Sequence, residues 1–176
     1  VVDMALRVNK DTDSAFDVTV GPLVNLWGFG PAGKIEESPS EETIQKTMER
    51  IGSDKLKLEI TQHLRKLSAH IEINLSAIAK GYAVDKVGDM LEARGLDNYL
   101  VEIGGEMRYA GTKPGNEPWH VAIETPDSEQ RSVYKVLEVT EGAMATSGDY
   151  RNFFEQDGQR YSHTLDPTTG YPIRHD

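Results

Sequence analysis

Four short groups of residues in this sequence have types and spacings suited to chemistry on a phosphorylated ligand. In Ile73 to Asp85, which reads I-N-L-S-A-I-A-K-G-Y-A-V-D, Asn74 and Ser76 bring side-chain oxygens to where a helix would begin. Lys80 follows one turn in, with Gly95 closing the helical pattern. The first turn of a helix offers unpaired N–H groups and the positive end of the macrodipole, so such a start suits an anion. The same residues also fit an ordinary capped helix with Lys80 in solvent. Near the end of the chain, His163, Asp166, Thr168 and Thr169 crowd a turn carrying Pro167, Gly170 and Pro172. A histidine beside an aspartate there is either an acid/base pair, an oriented binding group, or a hydrogen-bonded loop residue. Gly104 and Gly105 end an apolar run, where bare backbone lets a ligand come close, or where a plain β-turn sits. Trp27 and Phe29 lie between glycines, either as a wall for a flat ring or as aromatics packed on their own core.

These groups need elements to hold them. Val1 to Asn9 carries apolar residues at helical spacing. Ala15 to Pro31 is an apolar stretch broken by Gly21, Pro22, Gly28 and Gly30. Ser40 with Thr43, and acids in the first turn, predict a helix with Ile44, Met48 and Ile51 on its apolar face. Leu56 to Ile60 and Leu67 to Leu75 predict two strands, paired across a turn near Gln62 to Lys66. A helix over Ala77 to Arg94 places Ala77, Gly81, Val84, Gly88 and Leu91 on one stripe that can approach a sheet closely. Tyr99 to Ile103, Trp119 to Glu124 and Ser132 to Val139 predict strands, and Ala143 to Thr146 leads into another, in an antiparallel meander. Asp157-Gly158 marks a hairpin turn. His63 and His70 are expected at the surface, outside any metal site.

The chain has 176 residues, enough for one domain with a sizeable core, and its 38% hydrophobic and 27% charged content is that of a globular protein. A net charge of −10 argues against a nucleic-acid surface, which needs a dense basic stripe. It leaves room for an anionic small ligand in a locally positive pocket. Without cysteine there is neither a disulfide nor a thiolate metal site. No apolar run is long enough to span a membrane, and a chain opening on Val1 is expected to be a processed or trimmed product.

No nucleophile elbow, Walker A loop, spaced G-x-G-x-x-G or H-E-x-x-H is present. Glycine-rich strand ends, a lysine near a helix start, aromatics between glycines and a His/Asp turn favour a nucleotide-like ligand. A pyrophosphate in it would imply a divalent metal, usually Mg²⁺.

Five segments then carry a resemblance: A-F-D-V-T-V-G-P-L-V-N-L-W-G-F-G (15–30), I-N-L-S-A-I-A-K-G-Y-A-V-D (73–85), V-E-I-G-G-E (101–106), A-T-S-G-D-Y-R-N (145–152) and S-H-T-L-D-P-T-T-G-Y-P-I (162–173). In this order they resemble the ApbE family of FAD:protein FMN transferases, formerly described as thiamine-biosynthesis lipoproteins. The resemblance covers nearly the whole chain. It implies an α+β fold, T-fold-like, with a mixed and largely antiparallel sheet and packed helices, as one FAD-binding domain over residues 1–176. It also implies Mg²⁺-dependent transfer of FMN from FAD to a threonine hydroxyl of an acceptor flavoprotein through a phosphoester, releasing AMP. Acceptors in the family are subunits of redox complexes such as the sodium-pumping NADH:quinone reductase. Its members are periplasmic envelope proteins, often lipid-anchored at the membrane. By motif, Ala15, Phe16 and Asp17 would line the FAD site, and Asn74 and Lys80 would contact FAD. The backbone carbonyl of Ala77 would bind Mg²⁺, and Leu165 would touch the flavin nucleotide. Gly104, Gly105 and Ser147 would lie near it, and His163 would help deprotonate the acceptor threonine. Relative to the family pattern, the sequence is expected to be truncated at both ends. It stops before a segment whose Asp and Thr or Ser complete the metal site, and lacks the N-terminal strand and anchoring cysteine. An FAD pyrophosphatase, with water replacing the threonine, and a non-catalytic FAD-binding module are the alternatives.

Overall fold

The computed structural model describes residues 1–31, 33–59, 63–126, 132–148, 152–156 and 158–173. Its elements are α1 (Val2–Asp11), α2 (Gly21–Leu26), α3 (Glu41–Met48), β1 (Leu56–Leu58), β2 (Leu64–Lys66), α4 (Ala79–Glu92), β3 (Tyr99–Ile103), β4 (Glu106–Ala110), β5 (Trp119–Glu124), β6 (Val133–Val139), β7 (Gly142–Met144), β8 (Phe153–Gln156) and β9 (Gln159–Ser162). The described strands pair antiparallel, as β1-β2, β3-β4-β7, β5-β6 and β8-β9, so the fold is α+β. The chain divides into one unit of residues 1–77 with 152–176, and a second of residues 78–151.

In the first unit, helices α1 to α3 and two short hairpins enclose Val18, Leu23, Trp27, Ile44 and Ile71, all nearly or fully inaccessible to solvent. Helix α3 begins as its sequence dictates: Ser40 is the N-cap and its side chain accepts from the Thr43 N–H. Helix α2 forms where an apolar, glycine-rich wall was expected, and Pro22 in its first turn costs no hydrogen bond there. The predicted strand over Leu67 to Leu75 does not form. The partner of β1 is β2, in the register Leu56↔Lys66, inside the stretch expected to be the turn. Past Leu67, whose N–H still continues the β1 pairing, the alternating apolar residues are held as irregular chain. Leu67 N–H donates to Lys55 O at 2.8 Å and Asn74 N–H to Val18 O at 2.7 Å, while buried Ile71 anchors the segment. Ile60 and Gln62 of those expectations, and Asp157 of the β8-β9 turn, lie outside the described residues.

In the second unit, α4 packs on β3 and β4. Strands β3 and β5 have the predicted bounds. Helix α4 is shorter than the predicted 77–94, with Ile78 as its N-cap and no side-chain cap bond. Its small residues have two different roles. A Cβ at Gly88 would stand 2.9 Å from Arg108 Cδ and 3.0 Å from the Tyr99 hydroxyl, whereas one at Gly81 would meet nothing within 4 Å among the described residues. Arg108 cannot easily retreat, because it donates to Asp89 and Glu92, each at 2.8 Å. Gly81→Ala is therefore expected to stabilise the protein by about 0.5–1 kcal/mol through helix propensity alone. Gly88→Ala is expected to destabilise by about 1–3 kcal/mol, overpacking outweighing the same propensity gain. Urea denaturation of the two variants checks the opposite signs.

Candidate functional site

The residues singled out in the sequence fall into both units, and each unit assembles its own set. In the first, Asp17 is 8% exposed and accepts a ring of donors. Its Oδ1 accepts from Thr19 N–H at 2.7 Å, Thr19 Oγ1 at 2.6 Å and Ser53 Oγ at 2.8 Å. Its Oδ2 accepts from Ser53 N–H at 2.9 Å and Asn9 Nδ2 at 3.5 Å. A buried carboxylate needs such a set to offset its lost hydration. Asn9 also donates to Phe16 O at 2.7 Å, tying the A-F-D segment to the end of α1. A cavity of about 500 Å³ opens beside this network, lined by Asp17, Asn9, Ser53, Pro167 and Thr168 among others. It thus brings the first and last of the five motifs to one wall, while Ala15 and Phe16 do not line it. Ser53, 36 residues from Asp17, carried no local signal in the sequence.

Asn74 lies against the same segment. Its N–H reaches Val18 O, and a Cβ at Gly21 would stand 3.4 Å from its own Cβ. Its Oδ1 accepts from Ser76 N–H at 2.9 Å, an Asx turn. This corrects the expectation that Asn74 and Ser76 cap the helix: the Asx turn satisfies the chain locally, and α4 starts later, at Ala79. Ala77 is exposed in the intervening turn. Among the described residues no set of three or more His, Cys, Asp or Glu is placed to hold a metal ion. With one carbonyl at Ala77 besides, that donor set does not by itself make a Mg²⁺ site, which takes about six oxygens.

Trp27 is 1% exposed, stacked on Tyr161 at 5.6 Å, and donates its indole N–H to Gly170 O at 2.8 Å. It is a post of the core, as the packed-aromatics alternative had it. Phe29, half-buried, stands 5.8 Å from Phe154 and 6.3 Å from His163, centroid to centroid. His163 is not paired with Asp166: its Nδ1 is 3.1 Å from Asn152 O. The Asp166 Oδ1 instead accepts from Thr168 N–H at 2.8 Å and Thr168 Oγ1 at 2.6 Å. Leu165 is half-buried in a bridge to Pro172.

Burial pushes the Asp166 carboxyl upward, but the Thr168 and Thr169 hydrogen bonds outweigh it and hold the group below its ordinary value. A carboxyl depressed on folding contributes stability that is complete above the ordinary aspartate pKa and is lost as pH falls through the folded value. The 163–172 turn is therefore expected to loosen only below the usual carboxylate range. Amide exchange at Gly170, whose N–H donates to Asp166 O, measured as pH is lowered, checks it; loosening already near neutrality contradicts it.

In the second unit, Gly104 and Gly105 form the two-residue loop of the β3-β4 hairpin, with φ of 58° and 95°. Two positive φ values are the type I′ pattern, so the turn reading holds, and glycine is what that turn demands. The turn also receives Lys80, whose ammonium donates to Gly104 O at 3.0 Å and lies 2.6 Å from Glu106 Oε2. That oxygen is buried without a well-directed hydrogen bond, so the contact is an ion pair set by distance alone. Glu106 closes the V-E-I-G-G-E motif, and no local pattern in the sequence singles it out for this contact. Ser147 is exposed after β7, and Thr146 Oγ1 would stand 3.3 Å from a Cβ at Gly105. Asp149, Tyr150 and Arg151 of the A-T-S-G-D-Y-R-N motif lie outside the described residues.

Against known proteins, the model of the ApbE family matches residues 1–176. A Vibrio cholerae protein named FAD:protein FMN transferase is 50% identical over 173 residues, covering 98% of this chain and 52% of the relative. The Escherichia coli K12 protein of that name is 39% identical over 178 residues, covering 99% and 51%. Among solved structures, the flavin transferase ApbE from Vibrio cholerae matches with a TM-score of 0.85 at 45% identity, over 98% of this chain and 54% of that one. The apo form of the Pseudomonas stutzeri flavinyl transferase ApbE gives 0.84 at 45% identity, over 99% and 53%. The chain spans about half the length of these relatives.

Proposed function

Because the chain belongs to the ApbE family, we propose that it serves transfer of FMN from FAD to an acceptor flavoprotein. The observation that carries this is the family match along all 176 residues, five ordered motifs included. In the proposed reaction the threonine hydroxyl oxygen of the acceptor bonds to the FMN phosphorus. The bond from that phosphorus to the bridging oxygen breaks, its electron pair leaving on AMP, and the hydroxyl proton passes to the His163 imidazole. Positioning and charge stabilisation dominate such phosphoryl chemistry, since little else is left for the protein to do. In this reading Ala15, Phe16, Asp17, Asn74 and Leu165 bind FAD, with Gly104, Gly105 and Ser147 nearby. Lys80 supplies positive charge while Glu106 keeps its ammonium in place at 2.6 Å.

Mg²⁺ dependence enters the proposal from the family resemblance, with the Ala77 carbonyl as one ligand. So do an acceptor of the redox-complex type and a periplasmic, lipid-anchored location at the membrane. Among the described residues no helix is long and apolar enough to cross a membrane. Incubation with FAD, Mg²⁺ and a threonine-bearing acceptor is expected to yield a fluorescent acceptor band on a denaturing gel. FMN and AMP released without acceptor would instead make the protein an FAD pyrophosphatase. Tight FAD binding with neither product would make it a binding module. Cell fractionation tests the location.

A further inference from the structure

His163 follows β9 directly, and the β8-β9 ladder decides what it faces. The register pairs Phe153 with Ser162, so the next pair outward is Asn152 and His163. The Asn152 carbonyl accepts the His163 backbone N–H at 3.1 Å, and the imidazole Nδ1 lies 3.1 Å from the same oxygen. A carbonyl oxygen has no proton to give, so this ring contact is a hydrogen bond only when Nδ1 carries the hydrogen. In neutral imidazole the other nitrogen is then bare. The ring plane is also constrained: it is inclined at 72° to the Phe29 ring at a centroid distance of 6.3 Å. Phe29 rests in turn on Phe154, which stacks on Tyr161 at 4.8 Å and 8°. Asp166 is engaged by Thr168, and among the described residues no hydrogen bond reaches Nε2.

We infer that the Asn152 main-chain carbonyl and the Phe29 ring lock neutral His163 in the Nδ1–H tautomer, leaving Nε2 as its proton-accepting atom. Phe29 is then a positioning residue, acting through the histidine rather than on a ligand. The tautomer stands on the local geometry alone; only its kinetic consequence rests on the flavin-transfer reading. A backbone carbonyl on the far nitrogen is a common means of fixing which imidazole nitrogen is available.

The test is ¹⁵N NMR of histidine-labelled protein without FAD, at a pH where the imidazoles are neutral, with His163→Ala identifying the signals. A pyrrole-type Nδ1 and a pyridine-type Nε2 are expected. The reverse pattern, or averaged signals, overturns the lock. Phe29→Leu is expected to give averaged tautomers and to lower kcat of FMN transfer by up to about 10²-fold, the scale of a misplaced catalytic group, with KM for FAD unchanged. Phe29→Tyr, which keeps the ring, is expected to restore both. A leucine variant with the wild-type tautomer and kcat overturns the part given to Phe29. The tyrosine variant reads the same question if the leucine variant fails to fold: a lost tautomer there also overturns it. Because the spectra need no flavin, failure of the transfer reaction leaves the tautomer result standing, and the converse also holds.

Discussion

Asp17→Ala is expected to cost about 3–5 kcal/mol of folding stability, more than any surface change in this chain, because it strands several buried donors at once. The carboxylate satisfies the N–H and hydroxyl of Thr19, which is fully buried, and the N–H and hydroxyl of Ser53, which is 5% exposed. Each buried donor left unsatisfied costs roughly 1–3 kcal/mol, and water entering from the neighbouring cavity recovers part of the sum. Asp17→Asn keeps one acceptor oxygen but turns amide hydrogens toward other donors, so about 1–2 kcal/mol is expected there. Urea denaturation measures both. A double-mutant cycle with Ser53→Ala separates the direct coupling from general loosening, and the alanine cost should fall when Ser53 has already lost its hydroxyl. A cost under about 1 kcal/mol for Asp17→Ala would mean that the network is solvated and that Asp17 serves the ligand alone.

His163→Ala is expected to act on rate and not on fold. The ring is half-buried at the margin of the aromatic cluster, touching Phe29 and Asn152 O, so its removal opens no enclosed cavity. Loss of a positioned general base slows a reaction by roughly 10²–10⁴-fold. FMN transfer to the acceptor should fall by that amount while FAD affinity and thermal stability stay near wild type. A time course of acceptor fluorescence on gels, paired with FAD titration, reads the two quantities separately. Transfer at the wild-type rate would remove His163 from the chemistry, and lost FAD binding would move it to the binding surface. Asp17→Ala and His163→Ala thus predict opposite patterns, one structural and one kinetic.

Local patterns in the sequence were enough wherever the deciding interactions are short-range. The Ser40 cap of α3 is an i, i+3 contact, and the bounds of β3 and β5 follow from apolar runs closed by glycine, proline or charge. The Gly104-Gly105 turn was legible as well, as one of two readings, because its two positive φ values require residues without a Cβ. The stretch from Leu67 to Leu75 was not legible. Its alternation is that of a strand, but the β1 pairing reaches only as far as Leu67, and Asn74 N–H goes to Val18 O instead.

Family, α+β class and candidate residues are readable along the chain, because motif order and local periodicity need no tertiary contact. What those residues do to one another depends on contacts that form only when the chain folds. Trp27 is bound to Gly170, 143 positions away, and so became core rather than ligand wall. Asp17 found Ser53 across 36 residues, and Lys80 on α4 found Glu106 at the start of β4. His163 turned from Asp166, three residues on, to the carbonyl of Asn152 on the neighbouring strand. At Trp27 and Asp17 burial removes water as a competitor, so the nearest well-placed protein partner wins however far away it lies in the chain.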